Sequence, residues 1–275
     1  MKKEAKIRKI VNDIKSIKTQ GASNIARAAL QAYSLLPTKQ TKQKLVNARP
    51  TEPLLVNTLN NFSILGYKKT LEHFSQAQQK INQNTLKLIK NNSIIFTHCH
   101  STNVIKALIY SKNKGKKFQV YNTETRPLFQ GRKTALELGK AKIKVTMFED
   151  SAVGIVFKGE QGAKKPDIIF LGCDAILKNG IVNKIGSGMI AELAFIHKIP
   201  LYIIADSWKF TEHALLEERD FHEVWRQVPK GIKIRNPSFE FIDKKYIKAI
   251  VSEHGVLSFN EFLGRVVKKR LLSSL

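Results

Sequence analysis

The stretch that decides the fold is Ser93-Ile94-Ile95-Phe96-Thr97-His98-Cys99-His100-Ser101, in which a short apolar run ends in polar residues. Five further short apolar runs, rich in β-branched residues, follow along the chain, and helical patterns separate most of them. They begin at Phe118, Val145, Ile168, Leu201 and Ala249. Short buried strands that alternate with helices predict a mostly parallel sheet covered on both faces. The sequence therefore predicts an α/β fold, with a Rossmann-like domain over residues 93–275 that carries most of the site.

The chain before this stretch has a different hydropathy pattern, because its apolar residues recur at helical spacing. The predicted helices are an isoleucine stripe over 7–17, an alanine-rich segment over 22–36, two shorter helices on either side of Arg49-Pro50, and a long helix over about 67–90. We therefore expect a helical N-terminal domain over residues 1–92, joined to the Rossmann-like domain near Asn91-Asn92.

The composition excludes several classes of protein. The 275 residues are 43% hydrophobic and 25% charged, which is typical of a globular chain and argues against disordered, collagen-like and disulfide-scaffold proteins. The 47 basic and 22 acidic residues give a formal net charge of +25, which favours anionic partners such as phosphorylated metabolites, nucleotides or RNA. The sequence shows no zinc-finger spacing, RNP-like aromatic motif or arginine-rich run, and this argues against nucleic acid as the partner.

The cysteines and the hydropathy pattern predict the compartment. Cys99 and Cys173 are too few for a disulfide framework, which indicates a reducing environment. The N-terminus lacks the apolar core of a signal peptide, and no window reaches the ~18 apolar residues that a membrane span needs. We therefore expect a soluble cytoplasmic protein with no membrane contact.

Ligands of open α/β sheets bind beyond the carboxyl ends of the strands, so the residues that follow each apolar run are candidates for a site. After the first run, Cys99 stands at the strand end, and Ser101 or Thr102 can cap the next helix, whose free N–H groups suit a phosphate. Three interpretations of Cys99 stay open. It is a small buried apolar residue, a metal ligand beside its two histidines, or a reactive thiol whose pKa a helix N-terminus and cations lower.

Four other strand ends also deliver polar residues, and one of them is Glu149-Asp150-Ser151, in which Asp150 or Ser151 is either a helix cap or part of the site. Arg126 can bind a phosphate through the N–H donors of its guanidinium group. Asp174 is either a helix cap or a functional acid whose pKa is raised by burial. Asn183 and Lys184 precede a Gly-Ser-Gly helix start that can cradle an anion, although the pattern is not a P-loop. Lys209 is a surface residue or a ligand contact. Together these ends predict a cleft for a phosphorylated small molecule.

Six motifs in this order and spacing resemble a known superfamily. It contains the α, β and δ subunits of translation initiation factor 2B, the archaeal proteins related to them, methylthioribose-1-phosphate isomerase and archaeal ribose-1,5-bisphosphate isomerase. The motifs are THCHS (97–101), TETRPLFQG (123–131), FEDSA (148–152), GCDAI (172–176), NKIGS (183–187) and DSWKF (206–210). The resemblance runs from about residue 11 to residue 267. It implies the same helical and Rossmann-like domains.

The resemblance also implies a reaction, because the two isomerase branches use a cysteine and an aspartate that fall on Cys99 and Asp174. The thiol takes a proton from a sugar carbon, and the acid gives one to the ring oxygen as the ring opens. The HCHS version of the first motif is most similar to that of ribose-1,5-bisphosphate isomerase. This implies an aldose–ketose isomerase that makes ribulose 1,5-bisphosphate in AMP breakdown, with no cofactor and no metal.

The substrate-binding positions of the isomerase carry over one at a time. They fall on Gln20, Gly21, Ala22, Ser23, Arg49, Ser101, Thr102, Asn103, Asn183, Lys184 and Lys209. Gln20 departs from the pattern, because the isomerase has an arginine there. A charge-assisted phosphate contact contributes about 1.5–3 kcal/mol, so its loss weakens binding roughly ten- to a hundredfold.

This departure keeps a second reading open. In that reading the chain is an archaeal initiation-factor-2B-like subunit, which binds a nucleotide or sugar phosphate and contacts initiation factor 2 α. In either reading the resemblance implies a homodimer or a homohexamer.

Overall fold

The computed structural model describes residues 2–19 and 21–273. Four helices come first in the chain, four more lie among the strands, and the last follows the final strand. They are α1 (Lys2–Lys15), α2 (Ala22–Leu35), α3 (Lys39–Ala48), α4 (Pro53–Leu86), α5 (Thr102–Asn113), α6 (Gln130–Lys140), α7 (Val153–Lys158), α8 (Ser187–Ile196) and α9 (Phe259–Ser273).

The predicted helices of the N-terminal region are confirmed, except that the long one ends earlier than predicted. Gly66 has φ 73° and ψ 173° and breaks α4, so the helix predicted from about residue 67 begins just after this break and ends at Leu86. Ala26, Ala29 and Ala32 of α2 are fully buried, and their small side chains let it pack closely against α4. The division of the chain into domains at residue 92 stays a prediction.

The described residues form ten strands in two sheets. They are β1 (Ser93–Thr97), β2 (Phe118–Thr123), β3 (Lys144–Phe148), β4 (Ile168–Leu171), β5 (Ala175–Ile176), β6 (Gly180–Lys184), β7 (Leu201–Ile204), β8 (Phe239–Asp243), β9 (Ala249–Ser252) and β10 (Gly255–Leu257). The larger sheet has the order β10-β9-β7-β4-β1-β2-β3, and only its β10–β9 pair is antiparallel. All six predicted apolar runs are strands of this sheet, which confirms the mostly parallel α/β fold.

The sheet is covered on both faces, as the continuous apolar runs predict. Along β1, Ile94 and Phe96 pack into one hydrophobic cluster with α7, α8 and α9, while Ile95 packs into a second cluster with α4 and α5. This alternation is the two-residue period of a strand. Within the part of the chain that the structure describes, no helix is both long and apolar enough to cross a bilayer.

The order of the strands places the candidate site. From β1 the chain adds β2 and β3 on one side and then returns to add β4, β7 and β9 on the other. The neighbours β1 and β4, which pair through Ile95 and Ile168, therefore form the topological switch point where such sheets bind ligands. Cys99 follows β1 and Asp174 follows β4, so both lie at this crevice.

A second, three-stranded antiparallel sheet of order β5-β6-β8 stands directly after Asp174. This sheet is not apparent from the sequence, because β5 has only two residues. The backbone N–H of Asp174 donates to the carbonyl of Val182 in β6 (2.9 Å), and Asn183 and Lys184 end that strand. The small sheet thus returns Lys184 to the crevice.

Candidate active site

A cavity of about 170 Å³ lies beyond the carboxyl ends of β1 and β4, and we call it the central cavity. Both Cys99 and Asp174 line it. Ten of the predicted binding residues line it as well: Gly21, Ala22, Ser23, Arg49, Ser101, Thr102, Asn103, Asn183, Lys184 and Lys209. Gln20 lies outside the described residues. The crevice therefore brings together side chains from both parts of the chain.

Cys99 is held by its backbone in an uncommon conformation. Its φ of 62° is in the left-handed region, which non-glycine residues rarely occupy. The N–H of Cys99 donates to Thr125 Oγ1 (3.0 Å), and its carbonyl accepts from Thr134 Oγ1 (2.7 Å). Such strain persists only where surrounding contacts fix it, and it is concentrated at functional sites.

The two histidines beside Cys99 have other partners. His98 is buried, and its Nε2 donates to the carbonyl of Ile185 (2.9 Å) while Nδ1 bonds Thr123 Oγ1. Burial lowers the pKa of His98, so the ring is neutral. His100 Nε2 lies 3.1 Å from Glu137 Oε1. These contacts argue against the interpretation of this run as a metal site.

A different group in the described chain has the composition of a metal site, and none of its members lines the central cavity. His73, Asp206 and Glu253 place their ligand atoms within 4.8 Å of one another. His73 Nε2 lies 3.0 Å from both carboxylate oxygens of Asp206, and Glu253 accepts from the N–H and the hydroxyl of Ser207. These contacts between the three residues and their neighbours account for the cluster without an ion.

Burial dominates the chemistry of the thiol. It raises the pKa of Cys99 to about 12, although the His100 N–H and the charge of Lys184 act in the opposite direction. The expectation that a helix N-terminus and cations lower this pKa is therefore wrong for the free protein. Desolvation disfavours a thiolate more than one nearby ammonium group favours it.

Burial also raises the pKa of Asp174, against the opposing charges of Lys209, Arg49 and Lys184. This is the direction that the sequence predicts for an acid at the bottom of a cleft. A carboxyl with a raised pKa retains a proton nearer to neutral pH and can act as a general acid.

The cations around the cavity are held by specific contacts. Lys209 is buried, and its Nζ donates to the carbonyl of Cys173. Burial alone would lower the pKa of Lys209, but nearby acidic groups outweigh it and raise that pKa. Lys184 is also buried, and burial lowers its pKa.

Arg49 pairs with Glu217 through two contacts (2.9 and 3.1 Å), and the same carboxylate also pairs with Arg219 (3.2 Å).

Two glycines allow the loops of the cavity to approach each other. A Cβ at Gly172, after β4, would lie 2.4 Å from Ser101 Oγ, so only glycine lets this strand end pack against the loop after β1. Gly21 has φ 85° and precedes α2, and a Cβ there would contact Thr102 Oγ1 at 3.8 Å. The N-termini of α2 and α5 therefore meet at the cavity.

Arg126 is a predicted site residue that the structure does not place in the central cavity. The carboxylate of Asp150 accepts from the N–H groups of Thr125 and Arg126, and Thr125 has a φ of 63°. This turn directs the Arg126 side chain elsewhere. Its guanidinium contacts the carbonyl of Val224 and lies over the ring of Phe129, and Arg126 lines a second cavity instead.

Several residues of the cavity were missed by the sequence analysis. They are Glu52, Gln130, Lys133, Arg219 and Ser238. Glu52 offered a signal, because it stands before Pro53 at the start of a helix, where serine, threonine, aspartate or asparagine is the usual cap. Arg219 lies in an irregular segment with no periodic pattern, so its position could not be inferred.

Comparison with known proteins finds similarity over most of the chain. A family model described as the initiation factor 2 subunit family matches residues 59–259. The chain is 34% identical to the ribose 1,5-bisphosphate isomerase of Methanocaldococcus jannaschii, with 91% of each chain covered. It is 30% identical to the methylthioribose-1-phosphate isomerase of Parabacteroides distasonis, over 81% of this chain and 77% of that protein. The crystal structure of a translation initiation factor eIF-2B from Pyrococcus horikoshii superimposes with a TM-score of 0.81 at 25% identity, covering 92% of this chain and 96% of that one.

Proposed function

The chain belongs to the initiation factor 2 subunit family, and from this premise we propose that it is a sugar-phosphate isomerase that converts ribose 1,5-bisphosphate to ribulose 1,5-bisphosphate. The observation that carries the proposal is that a thiol and a carboxyl, Cys99 and Asp174, line one partly enclosed cavity rimmed by cations. The relatives that carry isomerase names favour this reaction class over a pure binding role.

A substrate with two phosphate groups suits the cavity. The N-termini of α2 and α5 both reach it, and free N–H groups at a helix N-terminus bind anions. Lys184, Lys209, Arg49 and Arg219 add positive charge from other elements. Two separate sources of N–H donors, each supported by cations, favour a bisphosphate over a monophosphate.

The chemistry then proceeds in two balanced steps. The Cys99 thiolate takes the proton on carbon 2, a double bond forms between carbons 1 and 2, and the bond from carbon 1 to the ring oxygen breaks as Asp174 protonates that oxygen. In the second step the carbon-2 hydroxyl gives its proton to Asp174 and becomes the ketone, while the Cys99 thiol returns a proton to carbon 1. Both groups regain their starting states, and no redox cofactor is consumed.

The buried site supports these roles. A carbon-bound proton is weakly acidic, so its removal needs a strong base and immediate protonation of the leaving oxygen. A desolvated thiolate is such a base, because a thiol with a high pKa gives a strongly basic anion. Lys184 is the cation that favours the thiolate form of Cys99.

The direct test supplies ribose 1,5-bisphosphate, methylthioribose 1-phosphate and ribose 5-phosphate separately to the purified protein and follows the ketose products by NMR. We expect ribulose 1,5-bisphosphate from the first compound and at least tenfold lower kcat/KM for the other two. Equal turnover of methylthioribose 1-phosphate would move the assignment to that substrate, and no turnover of any of them would overturn the isomerase proposal.

The second candidate is a binding subunit that contacts initiation factor 2 α. It is favoured by the structural similarity to the Pyrococcus horikoshii protein. Stable co-purification with initiation factor 2 α at moderate salt, together with failure of the isomerase assay, would support it. Catalytic turnover without such binding would exclude it. The homodimer or homohexamer that the family resemblance implies stays a prediction for either function.

A further inference from the structure

Glu52 is a buried acid of the central cavity to which the proposed reaction assigns no role. It is the residue before α4, and it is only 4% exposed. Its Oε1 is buried and has no hydrogen-bond partner among the residues that the structure describes. A buried carboxylate oxygen without a partner is costly, whereas a neutral carboxyl costs much less. The position therefore favours a protonated Glu52.

The charges that face Glu52 come from three other parts of the chain. They are Asp174 after β4, Lys209 after β7 and Arg49 after α3, and the buried thiol of Cys173 stands beside them. Asp174 in turn faces Lys184 and Glu217 as well. Two carboxyls in one buried space resist ionising together, and their protons then belong to the pair rather than to either residue.

The balance of these effects favours retention of one proton near neutral pH. Burial and the charge of Asp174 together raise the pKa of Glu52 to about 8, against the charges of Lys209 and Arg49 and a hydrogen bond from the Leu54 N–H, which act in the opposite direction. The three cations around Asp174 favour its ionised form and so oppose the effect of burial on its pKa.

We propose that Glu52 is a positioning residue that shares one proton with Asp174 and so keeps Asp174 able to protonate the ring oxygen. The proton moves from the Glu52 carboxyl to the Asp174 carboxylate, which leaves Glu52 ionised beside Lys209, and no other reactant is needed. This role rests on the proposed isomerase function. The presence of the shared proton does not depend on that function, because it is a property of the free protein.

The first test therefore uses no substrate. Denaturant unfolding of the wild type and of Glu52→Gln is measured from pH 5 to pH 9. The folded-state pKa of Glu52 is raised, so the wild type loses stability relative to the variant as pH rises from the unfolded value towards 8. We expect the ratio of the two unfolding constants to change by up to about tenfold per pH unit in this window and to level off above it. A ratio that stays constant across the range would overturn the proposal.

The second test measures the pH dependence of kcat/KM for the same pair of proteins. We expect the apparent pKa of the carboxyl pair to fall by at least about one unit in Glu52→Gln, because the second acid is gone, and Glu52→Asp to restore it in part. If Glu52 had only a structural role, its replacement would change kcat/KM by the same factor at every pH and would leave the apparent pKa unchanged. Profiles that superimpose after scaling would contradict the proposal. If wild type shows no turnover but the unfolding ratio changes as expected, the proposed function fails and the proton sharing stands.

Should Glu52→Gln fail to fold, Asp174→Asn replaces it in the unfolding experiment. Removal of the Asp174 charge lowers the pKa of Glu52, so the pH window in which stability falls moves to lower pH. An unchanged window in that variant would overturn the proposal equally.

Discussion

The reacting groups on the two walls of the central cavity have different electrostatic surroundings. The thiol wall, formed by residues 98–102 after β1, presents Cys99 with buried neutral His98 on one side, and Lys184 is the cation that acts on the thiol. The carboxyl wall, formed by Asp174 with Glu52, Lys209 and Arg49, crowds two acids and two cations together.

Burial raises the pKa of the reacting group on both walls, but the charges that oppose this effect of burial differ between them. The thiol pKa depends mainly on how well the site is sealed from water, because desolvation outweighs the charge of Lys184 that opposes it. The carboxyl pKa depends on a balance among several charges. Changes of charge should therefore act mostly on the carboxyl wall, and changes of solvent access mostly on the thiol wall.

The largest effect should come from removing the thiol itself. We expect Cys99→Ala to lower kcat by about 10³-fold or more, within the range that general base catalysis contributes, with little change in folding. The matched control is Cys173→Ala, which removes the other buried thiol but keeps the carbonyl that Lys209 contacts, and it should retain turnover. Equal losses in both variants would show that the thiol wall has no special role.

The alkylation rate of Cys99 tests the raised pKa on the thiol wall without any substrate. With a pKa of about 12, the thiol is almost wholly protonated at pH 8. Its alkylation by iodoacetamide should be about a hundredfold slower than that of a free cysteine, since the smaller thiolate fraction outweighs the higher intrinsic nucleophilicity. The rate should rise about tenfold per pH unit from pH 7 to pH 10. Peptide mapping by mass spectrometry measures it, and a rate that is flat over this range would indicate a thiolate.

Lys184 is the cation that both walls share, so its removal tests how far they are coupled. We expect Lys184→Met to raise KM for ribose 1,5-bisphosphate roughly ten- to a hundredfold, because a charge-assisted phosphate contact is lost. It should also slow alkylation of Cys99 further. Lys178→Met is the matched control, because that side chain is 66% exposed in the turn before β6 and pairs with the surface residue Glu212, away from the central cavity. Similar KM values for the two variants would remove Lys184 from the site.

The fold could be predicted well from the sequence where local patterns are strong. Continuous apolar runs identified the six parallel strands, and strand order alone then placed Cys99 and Asp174 at one crevice. The small sheet could not be predicted, because its pairing depends on contacts between distant segments such as β6 and β8.

The candidate site was predicted less completely, for reasons that are three-dimensional. Arg126 follows a strand as expected, but the Asp150 carboxylate fixes a turn that points its side chain away. The sign of the thiol pKa shift depends on what covers Cys99, which no local motif encodes. Glu52 comes from a helix start outside the Rossmann-like pattern, and only the packed structure brings it beside Asp174.

The joint action of the thiol and the carboxyl is best tested by the kcat values of Cys99→Ala, Asp174→Asn and the double variant with ribose 1,5-bisphosphate as substrate. If the thiol and the carboxyl act on one substrate as a unit, removing either disables the same step, and the double variant should be about as slow as the slower single variant. Losses that multiply in the double variant would show that the two groups act independently and would contradict the account.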